Sequence, residues 1–212
     1  MSIVSTGVLA VCRANVCRSP LAEFRLQREL PAAFGVEGLR VDSAGTETVS
    51  GAKICAEVYR RLMPADGAAF AAKHVAAQLD AQRIGDAGLI LTMTTAARGS
   101  VGAITPSARA KTFTLVEAVG LLSLEPSVAE LDVLAANADP VAAVAAVLNG
   151  RRGLLGDGPK FSRSTRRVTD GLDVLDAHTD RGARHGDVLQ AVDELTAVLV
   201  RDIGVLTALT PR

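Results

Sequence analysis

Tryptophan is missing from this sequence, tyrosine occurs once and phenylalanine five times. A core without large rings has to be filled by Ala, Val and Leu, and with 49% of residues hydrophobic there is enough material to do so. Cysteine is scarce as well. Three residues, an odd number, do not make the framework of a small disulfide-stapled domain. An excess of one charge is also lacking: 23 Lys and Arg face 23 Asp and Glu. That balance removes any general electrostatic argument for binding nucleic acid or a membrane surface. No apolar run reaches the length of a membrane span. The start, Met1 to Cys12, has no basic n-region and runs into an apolar strand, so it is not read as a signal peptide. These absences lead to the expectation of a cytoplasmic globular chain in a reducing setting that suits free thiols. Its length predicts a single domain over 1–212, with room for an elaboration.

What is present is concentrated near the start, in Val11-Cys12-Arg13-Ala14-Asn15-Val16-Cys17-Arg18-Ser19-Pro20. A short apolar strand, Gly7 to Val11, gives way here to a helix from Pro20. A loop in that position turns successive backbone N–H groups into one concavity, and the helix dipole adds positive potential. The same field favours a thiolate at Cys12. Arg18 supplies a planar fork that can pair two phosphate oxygens. Ser19 is suited to cap the helix and Pro20 to occupy its first position. A cysteine at a strand end is ordinarily a small buried hydrophobe, and Cys-x5-Arg alone is a weak pattern. Strand, Ser-Pro and helix-forming run all agree with one loop geometry, and that agreement points to cleavage of a phosphate ester.

Further along, apolar runs at Leu39–Ser43, Gly88–Met93 and Ala110–Phe113 read as strands. Helical stretches lie at Pro20–Leu30, Ala52–Leu62, around Val75–Arg83, at Thr95–Val101 and at Leu115–Leu122. This alternation predicts an α/β fold, a doubly wound four-stranded parallel sheet with helices on both faces. Ligands of such sheets bind beyond the carboxyl ends of the strands, where Cys12 falls. Residues 124–167 look like a mainly helical insertion. Ser127 to Leu148 has helical spacing, and Gly150 to Arg167 reads as a loop. That loop holds Arg151, Arg152, Lys160, Arg163, Arg166 and Arg167 against Asp157. A solvated linker accounts for it, with attraction of a phosphorylated or acidic partner as the alternative.

Cys12 to Pro20, followed by Leu21-Ala22-Glu23, resembles the phosphate loop of the low-molecular-weight protein tyrosine phosphatases. Val41-Asp42-Ser43-Ala44-Gly45-Thr46 resembles the second strand and following loop of that family, and Leu89-Ile90-Leu91-Thr92-Met93-Thr94 its third strand. A last helix over about 186–202 also fits, so the resemblance covers roughly 7–124 and 168–203. It implies metal-independent hydrolysis of a phosphomonoester, chiefly on a phosphotyrosine-bearing protein, through a cysteinyl-phosphate and without a cofactor. Cys12 is then the nucleophile and Arg18 the holder of the phosphoryl oxygens. Arg13, Ala14, Asn15, Val16, Cys17 and Ser19 line the substrate. Asn15 holds the loop in shape and Ser19 donates to the Cys12 sulfur. In the family, a disulfide between the equivalents of Cys12 and Cys17 protects the nucleophile, whereas by itself Cys17 is as well read as a buried filler.

The family places an Asp-Pro pair shortly before the last helix, as acid for the leaving group and base for water. Here Asp173-Val174-Leu175-Asp176-Ala177-His178 stands in that place, which makes Asp176 the general acid, with Asp173 and Asp180 as the nearest substitutes. The true Asp-Pro, Asp139-Pro140, reads as a helix cap followed by a first-turn proline. Two further departures matter. Ala14 replaces a glycine, so the loop has to avoid positive φ there, and Val49 and His178 stand where the family walls its cleft with aromatics, weakening any stacking on a phenyl ring. Cys55 reads as core, and His74 and His185 have no evident role. Two cysteines without a histidine pair at ligand spacing make no case for a metal. An arsenate reductase of this fold is the rival enzyme, but the absence of cysteine after Cys55 leaves it dependent on an external thiol. A weakly catalytic phosphoprotein-binding module is the rival of another class. Oligomeric state is left open.

Overall fold

The computed structural model describes residues 6–62, 66–155 and 161–210. Asp157 and Lys160 of the basic segment, and the first five residues of the chain, lie outside them. The elements run β1 (Gly7–Cys12), α1 (Arg18–Phe34), β2 (Val41–Gly45), α2 (Ala56–Leu62), α3 (Asp66–Lys73), α4 (Ala81–Asp86), β3 (Ala87–Thr92) and α5 (Thr95–Ile104). A 3₁₀ turn over Pro106–Lys111 then leads to β4 (Thr112–Thr114), α6 (Leu115–Leu122), α7 (Val128–Ala136) and α8 (Pro140–Gly150). The chain continues with α9 (Arg163–Arg167), the short strands β5 (Thr169–Asp170) and β6 (Asp173–Val174), and α10 (His185–Ala208). Among the described residues, no helix is long and apolar enough to cross a membrane.

β1 to β4 form one parallel sheet in the order β2-β1-β3-β4. Every residue of β1 and β3 is buried, as expected of parallel strands covered on both faces. Alternation sends Val8 and Ala10 of β1 and Leu89 and Leu91 of β3 to one face, with α1, α6, α8 and α10. Leu9, Val11 and Ile90 go to the other, with α4, α5 and the 3₁₀ turn. The register Val8–Val41 through Cys12–Gly45 puts Cys12 and Gly45 side by side at the carboxyl edge.

Several boundaries differ from the sequence reading, each for a local reason. Ser19 does not cap α1. The helix begins at Arg18, behind Cys17 with no side-chain cap, because the Ser19 hydroxyl is drawn to the Cys12 sulfur. α1 also runs on past Pro31 to a left-handed Gly35. α2 starts only at Ala56, since the amide of Cys55 is taken by the carbonyl of Val16 and that of Ala76 by Ala52. The stretch around Val75 pairs with the end of β2 through Ala77 and Leu79, so the helix there shortens to α4, capped by Asp80. Asp139 caps α8 with Pro140 behind it, as the sequence predicts, and also accepts from Thr6.

The basic stretch is not wholly a solvated linker. Arg151 is 2% exposed, with its guanidinium on the Glu130 carboxylate and on the carbonyls of Leu121 and Leu124. That pairing supplies the partners a buried cation requires, and Arg151 holds the Glu130 carboxyl down at about 2. Arg152 lies over the Phe113 ring at 4.3 Å, and Arg163 to Arg167 form a helix capped by Ser162.

Candidate active site

The loop from Cys12 to Arg18 is shaped by residues on three neighbouring segments. The amides of Thr46 and Glu47 donate to the carbonyls of Cys12 and Arg13, fastening the segment after β2 to the loop. A Cβ on Gly45 would sit 2.6 Å from the Arg13 carbonyl oxygen and 2.9 Å from the Ala14 carbonyl carbon. Only glycine permits that approach. Among the described residues, Asn15 is the one non-glycine with positive φ, at 55°, a conformation Asn tolerates best. Ala14 therefore bears no left-handed strain. Asn15 is fully buried and its groups are all engaged. Nδ2 donates to Ser19 Oγ at 3.0 Å and Ser43 Oγ at 2.7 Å, Oδ1 accepts from the Ala77 amide, and the carbonyl meets His74 Nε2 at 2.8 Å. His74 thus has a place in the site that its sequence context did not disclose.

Two donors converge on the Cys12 sulfur: Ser19 Oγ at 3.0 Å and the Asn15 amide at 3.3 Å. Behind them a chain of hydrogen bonds runs from Ser19 through Asn15 to Ser43, whose hydroxyl donates to Glu23 at 2.5 Å. Burial pushes the Glu23 carboxyl up to about 7, against the lowering effect of the Ser43 hydrogen bond. Neither Ser43 nor Glu23 stands out in the sequence. The available signal is that Glu23 lies one turn beyond Ser19 on the same helix face.

Arg18 is 3% exposed. Nη1 donates to the Val174 carbonyl at 2.7 Å and Nη2 to Asp176 Oδ2 at 2.5 Å, while Nε is buried with no hydrogen-bond partner. A buried guanidinium N–H left unpaired is costly, and an anion held in the loop would accept it. The acid segment is hung from β6, whose Val174 amide donates to the Met93 carbonyl. Asp173 accepts from the Thr95 amide and hydroxyl, and Asp180 from the Asp176 amide. The two substitute carboxylates are thus occupied in shaping the loop. Of the three, Asp176 is the one whose carboxylate meets Arg18. Without a proline at Ala177, the turn is closed by the Asp176 carboxylate accepting from the His178 amide and the Asp176 carbonyl from those of Thr179 and Asp180.

A cleft of about 300 Å³ opens beside these groups. Its charged lining is Arg13, Arg18, Glu47, Asp173, Asp176 and Asp180, and no aromatic side chain lines it. Arg13 is at the rim, paired with Glu47 at 2.8 Å. Val49 is 71% exposed, so it builds little of a wall.

All three cysteines are free, and the Cys17 thiol is hydrogen-bonded to Cys55. That hydrogen bond raises the Cys17 thiol, with burial adding to the rise, and lowers Cys55 to about 5. Cys55 is half-buried and packs against the edge of the core, with its amide tied to Val16 in the phosphate loop. Sequence spacing offers no metal set, yet the fold gathers ligand atoms of Cys17, Cys55, His178 and His185 within 4.8 Å of one another. The four come from four segments, so no local spacing could disclose them.

The model of the family described as low molecular weight phosphotyrosine protein phosphatase matches residues 7–125. The low molecular weight protein-tyrosine-phosphatase Ptp of Acinetobacter johnsonii is 32% identical over 115 residues, 51% of this chain and 71% of that protein. A protein-arginine-phosphatase of Geobacillus stearothermophilus is 34% identical over 113 residues, 53% of this chain and 70% of its own length. These relatives are phosphatases, which does not favour arsenate reduction. A crystal structure of a YwlE mutant from Bacillus subtilis aligns with a TM-score of 0.56 at 23% identity, covering 95% of this chain and 97% of that one, and so shares the fold. By its family-model match and by these relatives, the chain belongs to the low molecular weight phosphotyrosine protein phosphatase family, hydrolases of phosphomonoesters that work through a cysteine nucleophile.

Proposed function

We propose that this phosphatase acts on protein phosphomonoesters, phosphotyrosine foremost, with Cys12 as nucleophile, Arg18 as phosphoryl clamp and Asp176 as general acid and base. Arg13, Ala14, Asn15, Val16, Cys17 and Ser19 surround the bound group. The Cys12 sulfur attacks phosphorus in line with the departing oxygen, forming a cysteinyl-phosphate as the P–O bond breaks. Asp176 gives its proton to the leaving oxygen, then takes one from the water that cleaves the P–S bond and frees inorganic phosphate. Arg18 stabilises the equatorial oxygens in both steps. The observation behind this reading is the buried Arg18 guanidinium, with an unpartnered Nε and with Asp176 on Nη2. The carboxylate occupies a donor that a phosphoryl oxygen would take, so substrate entry lifts Asp176 off the clamp and leaves it beside the scissile bond.

We also read 1–212 as one domain and 124–167 as an insertion ahead of the acid loop, in a cytoplasmic protein. The family match ending at residue 125 supports the insertion. Burial of Val141, Val144 and Leu148 in the same core as α1 supports a single domain.

Phosphoarginine is the second reading. The cleft has four carboxylates and no ring, which complements a cationic guanidinium better than a phenol, and one relative is a protein-arginine-phosphatase. Side-by-side kinetics on a phosphotyrosine and a phosphoarginine peptide in metal-free reducing buffer decide between them. A higher kcat/KM on phosphotyrosine supports the first reading, and the reverse order replaces it with the second. Cys12→Ser should lower turnover of either by on the order of 10⁵-fold or more. Asp176→Asn should slow it by about 10²–10⁴-fold, most for the poorest leaving group. A Cys12→Ser protein that still releases phosphate would remove the covalent mechanism.

A further inference from the structure

The cluster of Cys17, Cys55, His178 and His185 lies next to the active site, and none of its four side chains has a chemical step in the mechanism above. We propose that these four side chains form a tetrahedral zinc site that ties the acid loop to the phosphate loop. Their ligand atoms all lie within 4.8 Å of one another. Zinc at about 2.3 Å from sulfur and about 2.0–2.1 Å from nitrogen spans tetrahedron edges of roughly 3.3–3.8 Å. The longest separation in the cluster has to close by only about 1 Å to reach that range.

The histidine pair is already there. The Nε2 atoms of His178 and His185 stand 3.2 Å apart with their rings at 85°, as for two imidazoles facing a common ion. Without an ion, two ring nitrogens at that distance require one to donate and the other to accept, in either sense.

The donor set also selects the metal. Two sulfurs and two imidazole nitrogens, with no carboxylate among them, suit zinc and discriminate against magnesium and calcium. Each cysteine would enter as a thiolate, releasing its proton to solvent, and the two negative charges neutralise the dication without any electron transfer. Cys17 is buried and His178 exposed, with Cys55 and His185 between these extremes, so the ion has a way in from the His178 side. Each ligand is fixed by its own element. Cys17 directly precedes Arg18, the Cys55 amide is bonded to the Val16 carbonyl, and His185 opens α10. His178 is the exposed partner, and its amide donates to the Asp176 carboxylate. Zinc would thus join the segment bearing the general acid to the loop bearing the nucleophile. The ion would take no part in phosphoryl transfer. Only this consequence rests on the role given to Asp176. The site itself does not.

The test uses the full chain, reduced, stripped with a strong zinc chelator and titrated with Co²⁺ and then Zn²⁺. The expected result is one Co²⁺ per chain, with a thiolate charge-transfer band and the intense visible bands of tetrahedral cobalt, displaced by one Zn²⁺. Zinc should raise Tm and slow tryptic cleavage after the exposed Arg181 and Arg184. Cys55→Ser and His185→Ala should each weaken binding by more than the roughly 10–100-fold that loss of a supporting partner costs. Cys12→Ser should keep the stoichiometry and the spectrum. Absence of the tetrahedral bands overturns the proposal. So does a signal that survives His185→Ala or vanishes with Cys12→Ser. Phosphate release by the metal-stripped protein is measured alongside, so that failure of the zinc site and failure of the phosphatase reading register separately.

Discussion

The phosphate loop is held from every side, whereas the loop proposed to carry the general acid is tied firmly only in its first half. Asn15 alone connects the first to Ser19, Ser43, Ala77 and His74, and Gly45 lies against its backbone without room for a methyl group. The second is tied at Asp173 to Thr95 and through Val174 and Asp176 to Arg18, and it ends at His185, where α10 begins. Between them His178, Thr179, Arg181 and Gly182 are exposed. The difference matches the chemistry. Donors aimed at a developing charge must be in place before the reaction. In the proposed mechanism the Asp176 carboxylate leaves Arg18 as substrate enters, which calls for a loop in the more weakly held part of the structure.

The largest effect should come from disturbing the rigid half. Gly45→Ala leaves every reacting group intact but forces the loop backbone away from the new methyl group. A displacement of about 1 Å is worth roughly 10² in rate, so kcat/KM should fall by about that factor on all substrates alike. Wild-type kinetics in this variant would show the loop to be softer than its packing implies. Loosening the other half should cost less. Asp173→Ala removes the tie to Thr95, a partly exposed contact worth about 0.5–1.5 kcal/mol. We expect about a tenfold loss, larger for poor leaving groups, because the acid is held in place less of the time. An equal loss for good and poor leaving groups would mean that Asp173 supports the cleft as a whole.

How much of this was legible beforehand follows the same division. The rigid half could be read because its residues are consecutive: Cys12 to Pro20, preceded by an apolar strand, specify a strand–loop–helix turn by local rules. The proposal for Asp176 has only its position before the last helix to rest on in the sequence, since Ala177 removes the dipeptide signal. Ser43 and Glu23 were legible only as members of the resembling motifs and His74 only as a histidine without a role, because Ser43 and His74 meet Asn15 and Glu23 meets Ser43 across separate segments, and single residues of those types have no periodicity. Arg151 was misread as solvated because its partner Glu130 lies on another helix. The cluster of Cys17, Cys55, His178 and His185 was missed for the same reason on a larger scale.

Asp176→Asn sharpens the comparison through binding instead of rate. In the wild type the carboxylate competes for Arg18 Nη2. An amide there loses the charge-assisted part of that contact, which is the stronger part. Inorganic phosphate should then bind severalfold more tightly to the variant, by calorimetry in reducing buffer, even as turnover falls. Weaker phosphate binding would make Asp176 a support for the clamp rather than its occupant.

The smallest effect is expected at the far end of the hydrogen-bond chain behind Cys12, at Glu23. Its carboxyl is raised from an ordinary 4.5 to about 7 by burial, so between those values the folded protein binds a proton that the unfolded chain has lost. Stability therefore falls as pH rises through this window, and the loss is complete above about 7. Glu23→Gln keeps an acceptor for the Ser43 hydroxyl while removing the titration. The variant should gain stability relative to wild type between pH 5 and 8, with a flatter Tm profile across that range. Its kcat/KM should change by less than about threefold, since the Ser43–Asn15–Ser19 bonds remain. If instead the rate drops sharply while the Tm profile stays parallel to wild type, the carboxylate charge itself is acting on Cys12 through that chain, and the rigid half of the site extends a full helical turn further than its packing indicates.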